Sequence, residues 1–257
     1  MNDTILSKNR AYWTRRAPGY SEVNREELAT DQREMWKQTL TERIAACFPG
    51  RAPGELHVLE VGTGPGFFAI LLAEAGYRVT AIDLTPSMLE EARHNAGSLA
   101  DRIDFIEMNA QAVAFPADRF DVIVSRNVTW NLPDPELAYA EWARVLKPGG
   151  LMMNFDANWY HYLFDDDART GYDRDRENSA DEGLGDLNVG DNFDAMESIA
   201  RQVPLSQVSR PAWDIETLTN LGLSVLEDPH VWKRVWSHRE KVNFASTPMF
   251  MVCGYKG

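Results

Sequence analysis

Cysteine is nearly absent: Cys47 and Cys253 are the only two in 257 residues. Two thiols so far apart build neither a disulfide framework nor a cysteine metal cluster. Histidine is scarce too, and His57, His94, His161, His230 and His238 show no close ligand spacing, so no metal is expected. No apolar run approaches the ~20 residues that cross a bilayer. Met1 to Arg10 are polar and lack the apolar stretch of a secretory signal, so we expect a cytoplasmic protein with no membrane partner. Positive charge is also short: 26 Lys and Arg stand against 39 Asp and Glu, a net charge of −13. Nucleic-acid binding needs clustered Lys and Arg, so no nucleic-acid partner is expected. There is no internal repeat and no low-complexity tract. The length suits one domain with an elaboration.

What the chain does have is a glycine turn. Glu60 to Gly66 read E-V-G-T-G-P-G, after an apolar run (Leu56, Val58, Leu59, Val61) and before Phe67, Phe68, Ala69, Ile70, Leu71, Leu72 and Ala73. That order is strand, turn, helix. Glycine lets a ligand approach the main chain, and a turn opening a helix points free N–H groups at it. A dinucleotide fingerprint reads G-x-G-x-x-G, whereas Gly62, Gly64 and Gly66 are spaced G-x-G-x-G. Glu60 would repel a pyrophosphate and attract an ammonium. Asp83, ending a second apolar run (Val79, Ala81, Ile82), is placed to accept both hydroxyls of a ribose. A ribose at one end and an amino-acid ammonium at the other describe S-adenosylmethionine.

From Leu56 to about Phe155 strands and helices alternate, the pattern of a parallel α/β sheet. Strands are expected at Leu56–Val61, Arg78–Ile82, Ile103–Glu107, Phe120–Ser125 and Leu151–Phe155. Helices are expected at Gly66–Ala75, from Pro86 to Ala96 and at Pro135–Leu146, the last stopped by Lys147, Pro148, Gly149 and Gly150. An earlier helical stretch runs from about Arg25 to Phe48. After Phe155 about 65 residues pass before strand-like runs at Gly222–Leu226 and Pro248–Gly254. A structureless connection of that length is rare unless functional. Its middle (Gly183, Gly185 and Gly190 among acids) reads as mobile. Its flanks are aromatic or apolar: Trp159, Tyr160, Tyr162, Leu163 and Phe164, then Phe193, Met196, Ile199 and Trp213. We read it as an inserted lid. Twelve acids against three arginines fall between residues 165 and 197. They make either a solvated surface or a negative field that favours a cationic or amine substrate.

Four pieces carry a family resemblance: E-V-G-T-G-P-G (60–66), A-I-D-L-T-P-S-M-L (81–89), F-D-V-I-V-S-R-N (120–127) and R-V-L-K-P-G-G (144–150). Over roughly Tyr12 to Phe155 the sequence resembles the class I S-adenosylmethionine-dependent methyltransferases, in their small-molecule branch. The resemblance implies an α/β, Rossmann-like, seven-stranded and mostly parallel sheet with helices on both faces and a final antiparallel strand. Residues 1–50 would form an N-terminal helical cap, 51–158 the S-adenosylmethionine-binding core, 159–215 the inserted lid, and 216–257 the strands completing the core. Carried over, Glu60, Gly62, Gly64 and Gly66 hold the methionine part, Asp83 takes the ribose, and Leu84 and Met88 pack beside the adenosine. Asn109 and Ala110 stand where the family shows an acid–Ala pair reading the adenine amine; an amide oxygen can still accept that bond. Ser125, Arg126 and Asn127 fall at the reacting end, and Tyr20 matches a tyrosine that closes over the methionine carboxylate.

Methyl transfer from a sulfonium is an in-line displacement that rests on positioning. Aromatic rings suit the cation, and Tyr12, Trp13, Tyr20, Trp130, Trp159, Tyr160 and Tyr162 lie near the expected mouth. Ligands in open α/β sheets bind outside the strands' carboxyl ends. That singles out Trp130 and Asn131 after strand four, and Asp156 and Asn158 after strand five. Tyr12, Trp130, Asn131, Asn158 and Trp159 are the expected substrate contacts. His161, then Asp156, are the candidate general bases. The expectation is methyl transfer to a small molecule, at an amine or heterocyclic nitrogen, by a monomer or homodimer. A phenolic or other oxygen is the alternative acceptor, and a non-catalytic cofactor-binding protein or a nicotinamide oxidoreductase are the rival classes.

Overall fold

The computed structural model describes residues 2–187 and 193–257. Gly190 and Asp191, counted above in the long connection, lie outside the described residues, as do Met1 and the side chain of Phe193. Seven strands form one sheet: β1 (His57–Val61), β2 (Arg78–Asp83), β3 (Ile103–Glu107), β4 (Phe120–Arg126), β5 (Leu146–Asp156), β6 (Leu223–Asp228) and β7 (Phe250–Lys256). Their order is β3-β2-β1-β4-β5-β7-β6, with β7 antiparallel to both neighbours and the β1–β5 pairings parallel. This is the expected Rossmann-like sheet. Between β1 and β4 the winding reverses, and the cleft that such a reversal opens lies at the strands' carboxyl ends.

The helices are α1 (Asn2–Leu28), α2 (Gln32–Cys47), α3 (Phe67–Glu74), α4 (Pro86–Ala96), α5 (Pro135–Val145), α6 (Asp166–Asp181), α7 (Phe193–Ala200), α8 (Ala212–Asn220), α9 (Trp232–Val235) and α10 (His238–Asn243). Side chains alternate across each strand, so one run of residues serves two cores. Val58, Val122, Val124, Met153, Phe155 and Met251 face α2 and α3, while Leu59, Val61, Ile123, Met152 and Val252 face α5 and Leu218 of α8. Phe67 through Ala73 of α3 are all buried, because that helix is sandwiched between the sheet and α2. Pro86 opens α4 and Pro135 opens α5, where the missing N–H costs nothing.

Several expectations change. The helical stretch expected from Arg25 to Phe48 is two helices, broken at Ala29–Asp31. Of the segment 1–50, α2 does not cap anything: Trp36, Leu40 and Ile44 are fully buried in the sheet's core, and α1 alone lies over the strand ends. The long connection is helical over α6 and α7, and its expected boundary at 215 cuts through α8, a core helix. Strand five begins at Leu146 instead of Leu151. Phe120 pairs with Leu146 and Val122 with Leu151, so Lys147 to Gly150 form an irregularity within the strand pairing.

Phe155 is fully buried with its ring against Trp36 and Phe68, at 5.2 and 5.5 Å between centroids. Phe155→Ala should therefore lower the free energy of unfolding in urea by about 3–5 kcal/mol; a loss below ~1 kcal/mol would contradict this packing.

Candidate active site

A cleft of about 750 Å³ opens at the β1–β4 junction. Its floor is the glycine turn. Gly62 and Thr63 donate their amides to the Ile82 carbonyl, at 2.8 and 2.9 Å, which folds the turn across the end of β2. Gly62 has φ of +68°, and a methyl group there would come 2.3 Å from Val128 Cγ2, so only glycine fits. Asp83 is the tie between loops: Oδ2 accepts the Gly64 amide at 2.9 Å and Oδ1 the Thr85 amide at 2.8 Å. Burial raises its pKa while these amides oppose the shift. The Thr85 side chain and the Leu84 amide add further hydrogen bonds to the same carboxylate.

Of the expected cofactor residues, Tyr20, Gly62, Gly64, Asp83, Leu84, Met88, Asn109, Ala110 and Asn127 line this cleft, with Asn131 from the expected substrate set. Asn109 Oδ1 already accepts the Gln111 amide at 2.9 Å, which fixes the amide's direction. Glu60, Gly66 and Ser125 do not line it. The Glu60 carboxylate lies within the turn and accepts from Thr63 Oγ1 at 2.6 Å and from the Ala69 amide at 2.8 Å. It organises the turn and the first turn of α3. Gly66, with φ of +93°, packs against Ala92 beneath the turn. Ser125 is fully buried and donates to the Val61 carbonyl.

A second cavity adjoins the first through shared walls. Trp13, Tyr20 and Asn127 line both, and Trp130, Trp159, Tyr160 and Tyr162 complete it. Six of its seven lining residues are aromatic, and none is Asp, Glu, His, Lys or Arg. Asn127 is its hub, in a left-handed conformation (φ +59°) that asparagine tolerates. Its main-chain carbonyl accepts the Trp130 indole N–H at 3.0 Å and its side-chain oxygen the Trp159 indole N–H at 3.1 Å. Tyr20 hydrogen-bonds its side chain as well, and burial raises the pKa of that phenol. Trp130 stacks on Tyr160, 4.9 Å between centroids.

The candidate bases are elsewhere. Asp156 is fully buried: Oδ2 accepts from Arg210 Nη1 at 2.7 Å, Thr129 Oγ1 at 2.5 Å and the Trp130 amide at 3.0 Å. A carboxylate so engaged and walled off has no path to a substrate proton. His161 lines neither cavity, and its Nδ1 donates to the Ser206 carbonyl at 3.1 Å. Asn158 exchanges two hydrogen bonds with the main chain of Arg210, and Tyr12 sits behind Trp13; neither lines a cavity. Several acids of the run are engaged within the fold. Asp165 caps α6, Asp173 pairs with Arg169, Asp186 with Arg176, and Asp175 accepts from Ser246. Glu197 meets a cavity wall, accepting from the Tyr162 hydroxyl at 2.9 Å.

The sequence puts Arg126 at the reacting end and Trp13 near the mouth without marking a role for either, and it does not mark Leu6, Asn9, Arg10 or Arg210. Arg126 lines the cleft, holds Glu27 of α1 in a two-pronged ion pair at 2.8 Å, and stacks on Phe67 at 4.5 Å. Burial works against its charge, but Glu27 outweighs that and raises its pKa. Leu6, Asn9, Arg10 and Trp13 of α1 form the far wall. Arg210 has no motif around it at all. For Arg126 the signal was its place at the end of β4.

Residues 59–154 match the family described as "Methyltransferase domain". A Mycobacterium tuberculosis protein of uncharacterised function is 32% identical over 134 residues, 48% of each chain. A ubiquinone biosynthesis O-methyltransferase of Coxiella burnetii is 30% identical over 110 residues, 42% of this chain and 47% of that one. The chain thus spans about half the length of the curated relatives it matches. A Mesorhizobium loti S-adenosylmethionine-dependent methyltransferase structure superposes with a TM-score of 0.59 over 84% of this chain and 96% of that one, at 19% identity, a likeness of fold.

Burial pushes the Glu60 carboxyl up to about 7 from its ordinary 4.5, against the lowering effect of the Thr63 and Ala69 hydrogen bonds. Its folded pKa lies above its unfolded one, so its contribution to stability is full below 4.5 and lost as pH rises through about 7. Glu60→Gln cannot titrate. Across that window the stability of the wild type should fall relative to the variant by on the order of 2–4 kcal/mol, read from urea melts. A difference that stays constant with pH would contradict this.

Proposed function

We propose, from the match of residues 59–154 to a methyltransferase domain, that the chain is an S-adenosylmethionine-dependent enzyme methylating a nitrogen of a small molecule held in the aromatic cavity. The observation that carries this reading is the shared wall of Trp13, Tyr20 and Asn127 between the cleft and that cavity. Asp83, which lines the cleft, takes the ribose hydroxyls. Asn109, Ala110, Leu84 and Met88 surround the adenine, and Gly62, Gly64 and Tyr20 hold the methionine end. Arg126, the cation at that end, faces the carboxylate. When bound, S-adenosylmethionine supplies an electrophilic methyl group on a sulfonium.

The chain's own work is placement. Aligning an acceptor with the methyl carbon can supply about 7–11 kcal/mol of barrier reduction. Ring faces attract a cation by about 0.5–2 kcal/mol each where desolvated, and Glu197 behind Tyr162 adds negative charge on the same side. A phenol needs a base to take its proton, and none lines the cavity among the described residues. Burial raises the pKa of the Tyr160 and Tyr162 hydroxyls, keeping both neutral. An amine or heterocyclic nitrogen with a free lone pair needs no such base. An oxygen acceptor is the second reading, favoured by the name of the Coxiella burnetii relative.

Label from methyl-labelled S-adenosylmethionine should move into amines or heterocycles of a metabolite panel and not into phenols, thiols or carboxylates. Label in a phenol would replace the nitrogen reading, and no label despite tight S-adenosylhomocysteine binding would contradict catalysis. Asp83→Ala should weaken S-adenosylhomocysteine by about 10–100-fold in calorimetry, the loss of charged hydrogen bonds worth ~1.5–3 kcal/mol; unchanged affinity would contradict the ribose assignment.

A further inference from the structure

We infer that Arg210 is a positioning residue for the aromatic cavity: with Asn158 it ties both ends of the segment between β5 and α8 to the turn that carries Trp130. The inference rests on the reading of that cavity as the acceptor site. Arg210 touches neither cavity, so it acts through other residues.

The guanidinium is 0% exposed, as are the carboxylates of Asp156 and Asp214. Nε and Nη2 bind Asp214 at 2.8 and 2.6 Å, Nη1 binds Asp156 at 2.7 Å, and Nη2 also reaches Thr129 Oγ1 at 2.7 Å. Behind them Tyr139 donates to Asp214 at 2.5 Å, and Asn154 donates to both Tyr139 and Thr129. Two carboxylates around one guanidinium leave a negative charge buried. Such groups are expensive to desolvate, and well-packed apolar residues often stabilise as well or better. What the cluster supplies is direction.

Its outward contacts show where it points. Asp156 Oδ2 holds the Trp130 amide, and Asp156 Oδ1 the Ala157 amide. The Asn158 side chain bonds the Arg210 amide and carbonyl, both at 3.0 Å. Residues 52 and 54 positions apart are thereby clamped together. Trp130, Trp159 and Tyr160, three walls of the cavity, each lie within two residues of a clamped group. Trp130 then meets Tyr160 by stacking. Breaking the clamp frees the rings on both sides of that stack while the glycine turn and Asp83 keep their own bonds.

The test uses Asn158→Ala, Arg210→Lys and Arg210→Met in the full chain. Asn158→Ala removes only neutral hydrogen bonds, so it stays informative if the arginine variants fold poorly. In Asn158→Ala, amide hydrogen exchange of residues 128–131 and 157–163 should quicken by about tenfold or more while β1 and β2 keep wild-type rates. The affinity for S-adenosylhomocysteine should stay within about twofold, while that of benzyltrimethylammonium, read by tryptophan fluorescence, falls by about tenfold or more. Arg210→Lys should recover part of what Arg210→Met loses. Exchange that quickens equally over β1 and β2, with cofactor affinity falling in parallel, would overturn the inference, and so would unchanged exchange in the two segments. Wild-type protein that excludes benzyltrimethylammonium while the two segments still loosen selectively would uphold the positioning role and overturn the nitrogen reading instead.

Discussion

The Asp83 carboxylate, accepting the Gly64 and Thr85 amides, is the bond on which the arrangement of the cleft depends. It holds the glycine turn from β1 against the loop after β2, so the cofactor cleft has a fixed floor before any ligand arrives. Gly62 of the turn lies against Val128, next to Asn127 in its left-handed bend. From there two indoles and a phenol hang on one asparagine. A carboxylate at the tip of β2 thus reaches, through three short steps, the aromatic walls on the far side. Preorganisation of this kind is what a positioning mechanism requires, because little of the binding energy is spent on ordering the site.

The core was legible in the sequence because its signals are local. Alternating apolar residues, prolines at helix starts and a glycine turn between a strand and a helix all act within a few residues. The cleft residues carried by those motifs (Gly62, Gly64, Asp83, Met88, Asn127) fall on its walls for the same reason. What escaped was set by long-range packing. The helical stretch is expected only from about Arg25, yet α1 begins at Asn2 and runs through Pro18 and Gly19, since tertiary contact outweighs a propensity cost of a few kcal/mol. Asp156 reads as a base after strand five, and only its distant partner Arg210 shows that it is an internal counter-ion. Glu60 sits in the right motif but turns its carboxylate into its own loop.

The acidic run illustrates the same limit. Charge counted along a sequence suggests a field, but capping, i,i+4 pairing and a contact to α10 engage several of these acids within the fold. One acid, Glu197, stands behind the aromatic wall. The match to a methyltransferase domain covers residues 59–154. Of the aromatic cavity's lining, Asn127 and Trp130 fall inside that stretch, while Trp13 and Tyr20 precede it and Trp159, Tyr160 and Tyr162 follow it. The cleft and the cavity meet at Trp13, Tyr20 and Asn127.

A crystal structure of the complex with S-adenosylhomocysteine tests that meeting most directly. The ribose hydroxyls should lie on the Asp83 carboxylate, the adenine beside Asn109 and Ala110, and the sulfur should face the aromatic cavity across Tyr20 and Asn127. Adenine lodged among Trp130, Trp159 and Tyr160, or a sulfur turned away from them, would contradict this arrangement.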